Sequence, residues 1–167
     1  AADHLGAIFE QGHRLRPAAG YKQYATSAYA KPDLQCQHNV NYWRFGDYLG
    51  IGCGSHGKLT QPDGEIIRSV KTRHPRGFMR GDYLDKRYTV TDNEKPFEYF
   101  MNRFRLWEPC PREEFVRYTG LGEQHIRPAL DKAIAAGYLN ETENTWQVSE
   151  KGRLFLNSLL EIFLEQE

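Results

Sequence analysis

The 167-residue chain carries 22 basic and 22 acidic side chains and is 40% hydrophobic, enough to bury a core in one mid-sized domain or two small ones. Residues 1–94 hold 13 basic and 10 acidic side chains, and residues 95–167 hold 9 and 12, without the basic stripe that marks a general polyanion binder. No run of about 18 apolar residues and no signal-peptide pattern occurs, and Cys36, Cys53 and Cys110 stand 17 and 57 residues apart, matching no zinc, redox or cluster spacing; the expectation is reduced thiols in a cytoplasmic protein.

Ala1-Ala2-Asp3 opens without Met and runs straight into Leu5, Ile8 and Phe9 at helical spacing, the pattern of a chain that begins inside a helix, as a fragment does. That helix is predicted from Leu5 to Leu15, stopped by Pro17 and Gly20, with a strand alternating over Tyr21 to Tyr29. This is an α/β unit without its preceding strand, so its sheet neighbours are expected upstream. An edge exposed in this way would offer a route to a dimer.

Lys31-Pro32-Asp33 reads as a loop, and Cys36 to Trp43 is a dense polar and aromatic group with no clear period, a loop of the kind that carries sites. Asp47 to Gly57 holds four glycines and reads as a short strand entering a glycine-rich turn. Pro62-Asp63-Gly64 presets a tight turn between Lys58–Thr60 and Glu65–Val70, a β-hairpin. Thr72 to Tyr88 is basic and aperiodic, a surface connection.

A second domain, residues 91–167, is predicted to follow a first domain of residues 1–90. Thr91 and Glu94 form a capping-box pair before Phe97, Phe100, Met101, Phe104 and Trp107, which share one helical face. Pro111 and Gly120 bracket a short helix, and a third helix lies between Glu123 and Ala136, its start restricted by Pro128. A small hairpin over residues 138–148 and a last helix capped by Ser149 complete a winged-helix-like order.

Four groups have residue types suited to chemistry. His38 is able to ligate iron, with Tyr42 and Trp43 beside it to cover a flat macrocycle; the alternative is a hydrogen-bonded structural imidazole. Gly50 to Gly57 permits close approach of backbone amides to an anionic ligand, or simply a tight turn. Lys71, Arg73, His74, Arg76 and Arg80 are able to receive carboxylates such as porphyrin propionates, or form a solvated loop. His125, Arg127 and Lys132 would lie on the groove-reading helix of a DNA-binding winged helix, but Glu141 and Glu143 in the wing and the acidic balance oppose phosphate.

Tyr24-Ala25-Thr26-Ser27-Ala28-Tyr29-Ala30-Lys31-Pro32, Cys36-Gln37-His38-Asn39, Asn41-Tyr42-Trp43 and Gly50 to Gly57 together resemble the oxygen-independent coproporphyrinogen III oxidase-like radical-SAM family. The His-Asn-x-x-Tyr-Trp pattern of His38, Asn39, Tyr42 and Trp43 is similar to the signature of its haem-chaperone branch, whose members bind haem and pass it to acceptor proteins. The resemblance implies an α+β chain: the last part of a partial (β/α) barrel with a β-hairpin, then a winged-helix-like domain. It implies haem at His38, Asn39, Tyr42 and Trp43, and an S-adenosylmethionine or substrate cavity near Gly52, Gly54 and Ser55. The family's Cys-x-x-x-Cys-x-x-Cys loop for a [4Fe–4S] cluster is absent from this sequence, so no radical chemistry is expected of this chain itself. The oxidase and a nucleic-acid module are the alternative functions.

Overall fold

A computed structural model describes residues 2–164 as a mixed helix and strand protein with three small antiparallel sheets. Helix α1 (Ala2–Ala18) runs past Pro17 into its last turn. Of its expected apolar face, the side chains of Leu5 and Phe9 lie outside the described residues, and Ile8 is exposed. Among the described residues α1 is tied down by polar and cation–ring contacts: Tyr29 Oη lies 2.7 Å from His13 Nδ1, and the Arg16 guanidinium sits 4.3 Å above the Tyr29 ring.

The single strand expected over Tyr21 to Tyr29 is two, β1 (Lys22–Ala25) and β2 (Ala28–Ala30), paired antiparallel across Thr26-Ser27. The other side of β1 is occupied as well, because Trp107 N donates to Tyr24 O at 2.9 Å and Thr26 N to Arg105 O at 2.8 Å. These bonds join the start of the chain to the segment after its fourth helix.

Cys36 to Trp43 corrects the loop expected there, since Gln37–Trp43 form helix α2. Only Val40 of α2 is buried, so an apolar period was never available to announce it. The next strand is also displaced. The segment from Asp47 to Ser55 holds one isolated bridge, Tyr48 to Lys58, and regular pairing begins at β3 (His56–Thr60). Gly50 and Gly57 are packing glycines: a Cβ on Gly50 would stand 2.3 Å from His56 O, and one on Gly57 2.6 Å from Ser69 Oγ.

The Pro62-Asp63-Gly64 turn is as expected, with Gly64 at φ 86° and Glu65 N donating to Asp63 Oδ1 at 3.0 Å. It joins β3 to β4 (Ile66–Lys71). The expected surface connection over Thr72 to Tyr88 instead contains a short helix α3 (Pro75–Met79) and a third strand β5 (Leu84–Thr89) paired with β4. Every residue of β5 is exposed, which removes the alternation that marks a half-buried strand.

Glu94 reaches back to Thr91 N at 3.0 Å, as a capping box requires, and α4 (Lys95–Arg103) follows. Strand β6 (Cys110–Pro111), not expected from the sequence, leads into α5 (Arg112–Thr119), which ends at Gly120 with φ 72°. A single 3-10 turn (Glu123–His125) precedes α6 (Arg127–Ala135). Strands β7 (Leu139–Glu141) and β8 (Thr145–Val148) form the expected hairpin, and β8 also pairs with β6. Ser149 Oγ accepts from Gly152 N at 3.0 Å and caps α7 (Glu150–Leu154). The last helix is not continuous: Phe155 breaks it before α8 (Leu156–Glu161).

Phe100 lies at the centre of the core, with ring centroids 4.5 Å from Phe104, 5.5 Å from Phe115 and 4.4 Å from Phe163. The same buried cluster takes in Phe45, Ile66 and Val90 from the first ninety residues. The core therefore reaches the base of α2.

Candidate functional site

Helix α2 is held from its buried side. Phe45, just past its end, has φ 63° and is 1% exposed, its ring 5.4 Å from Tyr99. A left-handed phenylalanine is uncommon, and here two neighbours hold it. Lys58 Nζ donates to Phe45 O at 3.0 Å and lies 4.1 Å from the centre of its ring. Arg44 grips Glu108 with two bonds of 2.9 Å, while the buried Arg103 approaches the same carboxylate at 3.3 Å. Burial pushes the Glu108 carboxyl up, yet its Arg44 and Arg103 partners leave it below the ordinary value.

A cleft of about 400 Å³ opens between α2, the β3–β4–β5 sheet and α4. Tyr42, Trp43, Tyr48 and Tyr88 provide aromatic walls, Met101 and Asn102 come from α4, and His56 and Arg105 also line it. Arg68 crosses its interior, with Nε 2.9 Å from Glu98 Oε2 and a second nitrogen on the same oxygen. Arg68 Nη1 donates to Tyr48 Oη at 2.7 Å, and Tyr48 donates to Tyr42 Oη at 2.9 Å. The two phenol rings lie 4.5 Å apart. Burial, then the bond to Tyr42, raises the Tyr48 phenol well above its ordinary range, so it stays protonated.

The residues expected from the sequence divide over this geometry. Tyr42 and Trp43 line the cleft. His38 and Asn39 do not line it; His38 is exposed one turn earlier on the same helix, with Asn39 Oδ1 3.4 Å from its Nδ1. Gly52, Gly54 and Ser55 are elsewhere, in a turn where Gly52 and Gly54 have φ 97° and 69° and Ser55 Oγ donates to Gly52 O at 2.7 Å. They do not line the cleft either.

Sequence reasoning missed Tyr48, His56, Arg68, Tyr88, Glu98 and Arg105. The sheet register Lys58–Arg68–Tyr88 carries two of these positions, Arg68 and Tyr88, onto one row, but reading it required β5. No local pattern pairs Arg68 with Glu98.

An iron–sulfur cluster does not fit these residues. Among the described residues no group of three or more His, Cys, Asp or Glu is placed to hold a metal ion. Cys110 is buried, and desolvation pushes its thiol up to about 11, the opposite of a ligating thiolate. An exposed imidazole such as His38 is a suitable donor for haem iron.

Residues 90–155 match the model of the HemN C-terminal domain. The chain is 66% identical over 164 residues to the protein named "Heme chaperone HemW" of Escherichia coli, and 57% identical over 165 residues to that of Haemophilus influenzae. These alignments cover 98% and 99% of the chain but 43% of each relative; the chain spans less than half the length of the curated relatives it matches. Among solved structures it resembles the radical SAM enzyme coproporphyrinogen III oxidase (HemN) of E. coli, with a TM-score of 0.64 and 14% identity over 95% of this chain and 40% of that one. That likeness is one of fold.

Proposed function

We propose that this chain, which is similar along nearly its whole length to the proteins named heme chaperone HemW, is the C-terminal part of a haem-binding chaperone in the radical-SAM, coproporphyrinogen III oxidase-like family. In this reading His38 would hold the haem iron, and Asn39, Tyr42 and Trp43 would shape the seat. One observation carries it: α2 is clamped from beneath by Phe45, Lys58 and Arg44, yet presents the His38 imidazole to solvent one turn from the cleft wall at Tyr42. A structural histidine would be expected to spend its ring nitrogens on the fold; among the described residues the ring of His38 has only its neighbour Asn39.

Residues 1–90 are then the closing part of a partial (β/α) barrel, and residues 91–167 a winged-helix-like domain in which the β7–β8 hairpin is the wing. Gly52, Gly54 and Ser55 belong to an S-adenosylmethionine or substrate cavity completed by other residues of the protein. S-adenosylmethionine and the [4Fe–4S] cluster would be held by such residues, and nothing in this chain performs a step through them. Haem-acceptor proteins are the partners. Nucleic acid is not, because Arg127 on α6 is committed to Asp131 at 2.6 Å and Glu141 at 2.8 Å, leaving that helix little free charge for phosphate. The place of action is the cytoplasm; among the described residues no helix is long and apolar enough to cross a membrane. Self-association would use the exposed edge strand β5, since β1 is bridged on its outer side.

The chaperone reading is tested by supplying haem, and separately coproporphyrinogen III with S-adenosylmethionine, to the full-length protein reconstituted with its cluster. Haem binding without CO₂ release is expected. Release of CO₂ from the propionates would give the oxidase reading in its place.

A further inference from the structure

The Tyr42–Tyr48–Arg68–Glu98 chain has a direction. Arg68 is only a donor, so Tyr48 Oη must accept from it and give its own proton to Tyr42. Tyr42 Oη therefore accepts from within the protein, and its proton is left for the cleft; among the described residues it has no acceptor. Glu98 fixes the far end by holding Arg68 with two nitrogens on one oxygen. The whole row acts as a device that turns one phenol into a donor aimed at a ligand.

Two more donors line the same cleft without partners. Arg105 and His56 make no ion pair and no side-chain hydrogen bond among the described residues, in contrast to Arg68 beside them. Arginine forks carboxylates, and an imidazole has an N–H to donate in either charge state. With Trp43 and Tyr88 offering flat apolar surface between these donors, the ligand that suits the cleft is planar and carries carboxylates.

We propose that this cleft reads the carboxylate edge of a planar tetrapyrrole, with Tyr42, Arg105 and His56 as the direct donors and Tyr48 and Arg68 as positioning residues. Resting on the haem-binding reading above, the groups recognised are the two haem propionates, while iron ligation belongs to His38. The basic loop from Lys71 to Arg80 is not needed for this recognition.

The experiment compares haem with its dimethyl ester, whose propionates are uncharged, by Soret titration of the protein and of its Arg105→Ala, His56→Ala, Arg105→Lys and Tyr48→Phe variants. The unaltered protein is expected to prefer haem about tenfold, the scale of one charge-assisted bond. Arg105→Ala and His56→Ala each cut that preference severalfold while leaving ester affinity alone, Arg105→Lys restores part of it, and Tyr48→Phe, which keeps the ring, lowers it. An unchanged preference in both alanine variants would overturn carboxylate recognition and leave haem binding standing. Failure of the unaltered protein to bind haem would overturn the haem reading, and this proposal with it.

Discussion

Lys58 and Asp47 are 2.8 Å apart, and the lysine is the buried member, with its side chain 2% exposed against 39% for the aspartate. Its three protons go to Asp47 Oδ1, Phe45 O and Thr60 Oγ1, the full donor complement of an ammonium. Burial lowers the Lys58 pKa despite Asp47. Removing the aspartate strands a buried cation, whereas removing the lysine leaves a carboxylate that water can reach. Asp47→Ala is therefore expected to cost about 2–4 kcal/mol and Lys58→Met about 1–2 kcal/mol less than that, measured by urea denaturation. Equal costs would show that the cation is not dependent on its partner.

Phe100 touches five aromatic rings, and truncating it empties the middle of the core. Phe100→Ala should destabilise the protein by about 3–5 kcal/mol. Val116, on the outer face of α5 and 46% exposed, is the control: Val116→Ala should change stability by under about 0.5 kcal/mol.

The three thiols differ in access. Cys36 and Cys53 are exposed and Cys110 is buried with its thiol raised to about 11. An aromatic disulfide reagent at pH 8 is expected to titrate two thiols rapidly and the third only after denaturant is added. Three fast thiols would mean that the core around Tyr99 and Cys110 opens readily.

Acid should unfold the protein through identifiable carboxylates. For Asp47, Glu108 and Glu141 burial raises the pKa but bonds to Lys58, Arg44 and Arg127 lower it further, so each ends below its ordinary value. Because the unfolded chain then binds protons first, their stabilisation is complete above about pH 5 and is lost as pH falls through the folded pKa values. Denaturation midpoints should be level from about pH 6 upward and drop between about pH 5 and 3. An Arg44→Gln, Asp47→Asn double variant should flatten that drop.

Much of residues 91–167 was legible because its signals are local: Thr91 with Glu94, Pro111 with Gly120, and Ser149 with Gly152 each act within a few residues. The Pro62-Asp63-Gly64 turn was legible for the same reason. Helix α2 was not, since Val40 alone is buried and its geometry is set from outside by Phe45, Lys58 and Glu108. Strand β5 was hidden by its complete exposure. The cleft depended on both, so the sequence could name Tyr42 and Trp43 without the residues that face them, His56, Arg68 and Arg105.

The central claim is that His38 ligates haem from the rigid surface of α2. Titrating haem into the protein and its His38→Ala variant, while recording the Soret band, tests it most directly. A shifted Soret band with saturable binding is predicted for the unaltered protein, and at least about a tenfold weaker affinity with a changed band position for the variant. Identical spectra and affinities for the two would contradict it.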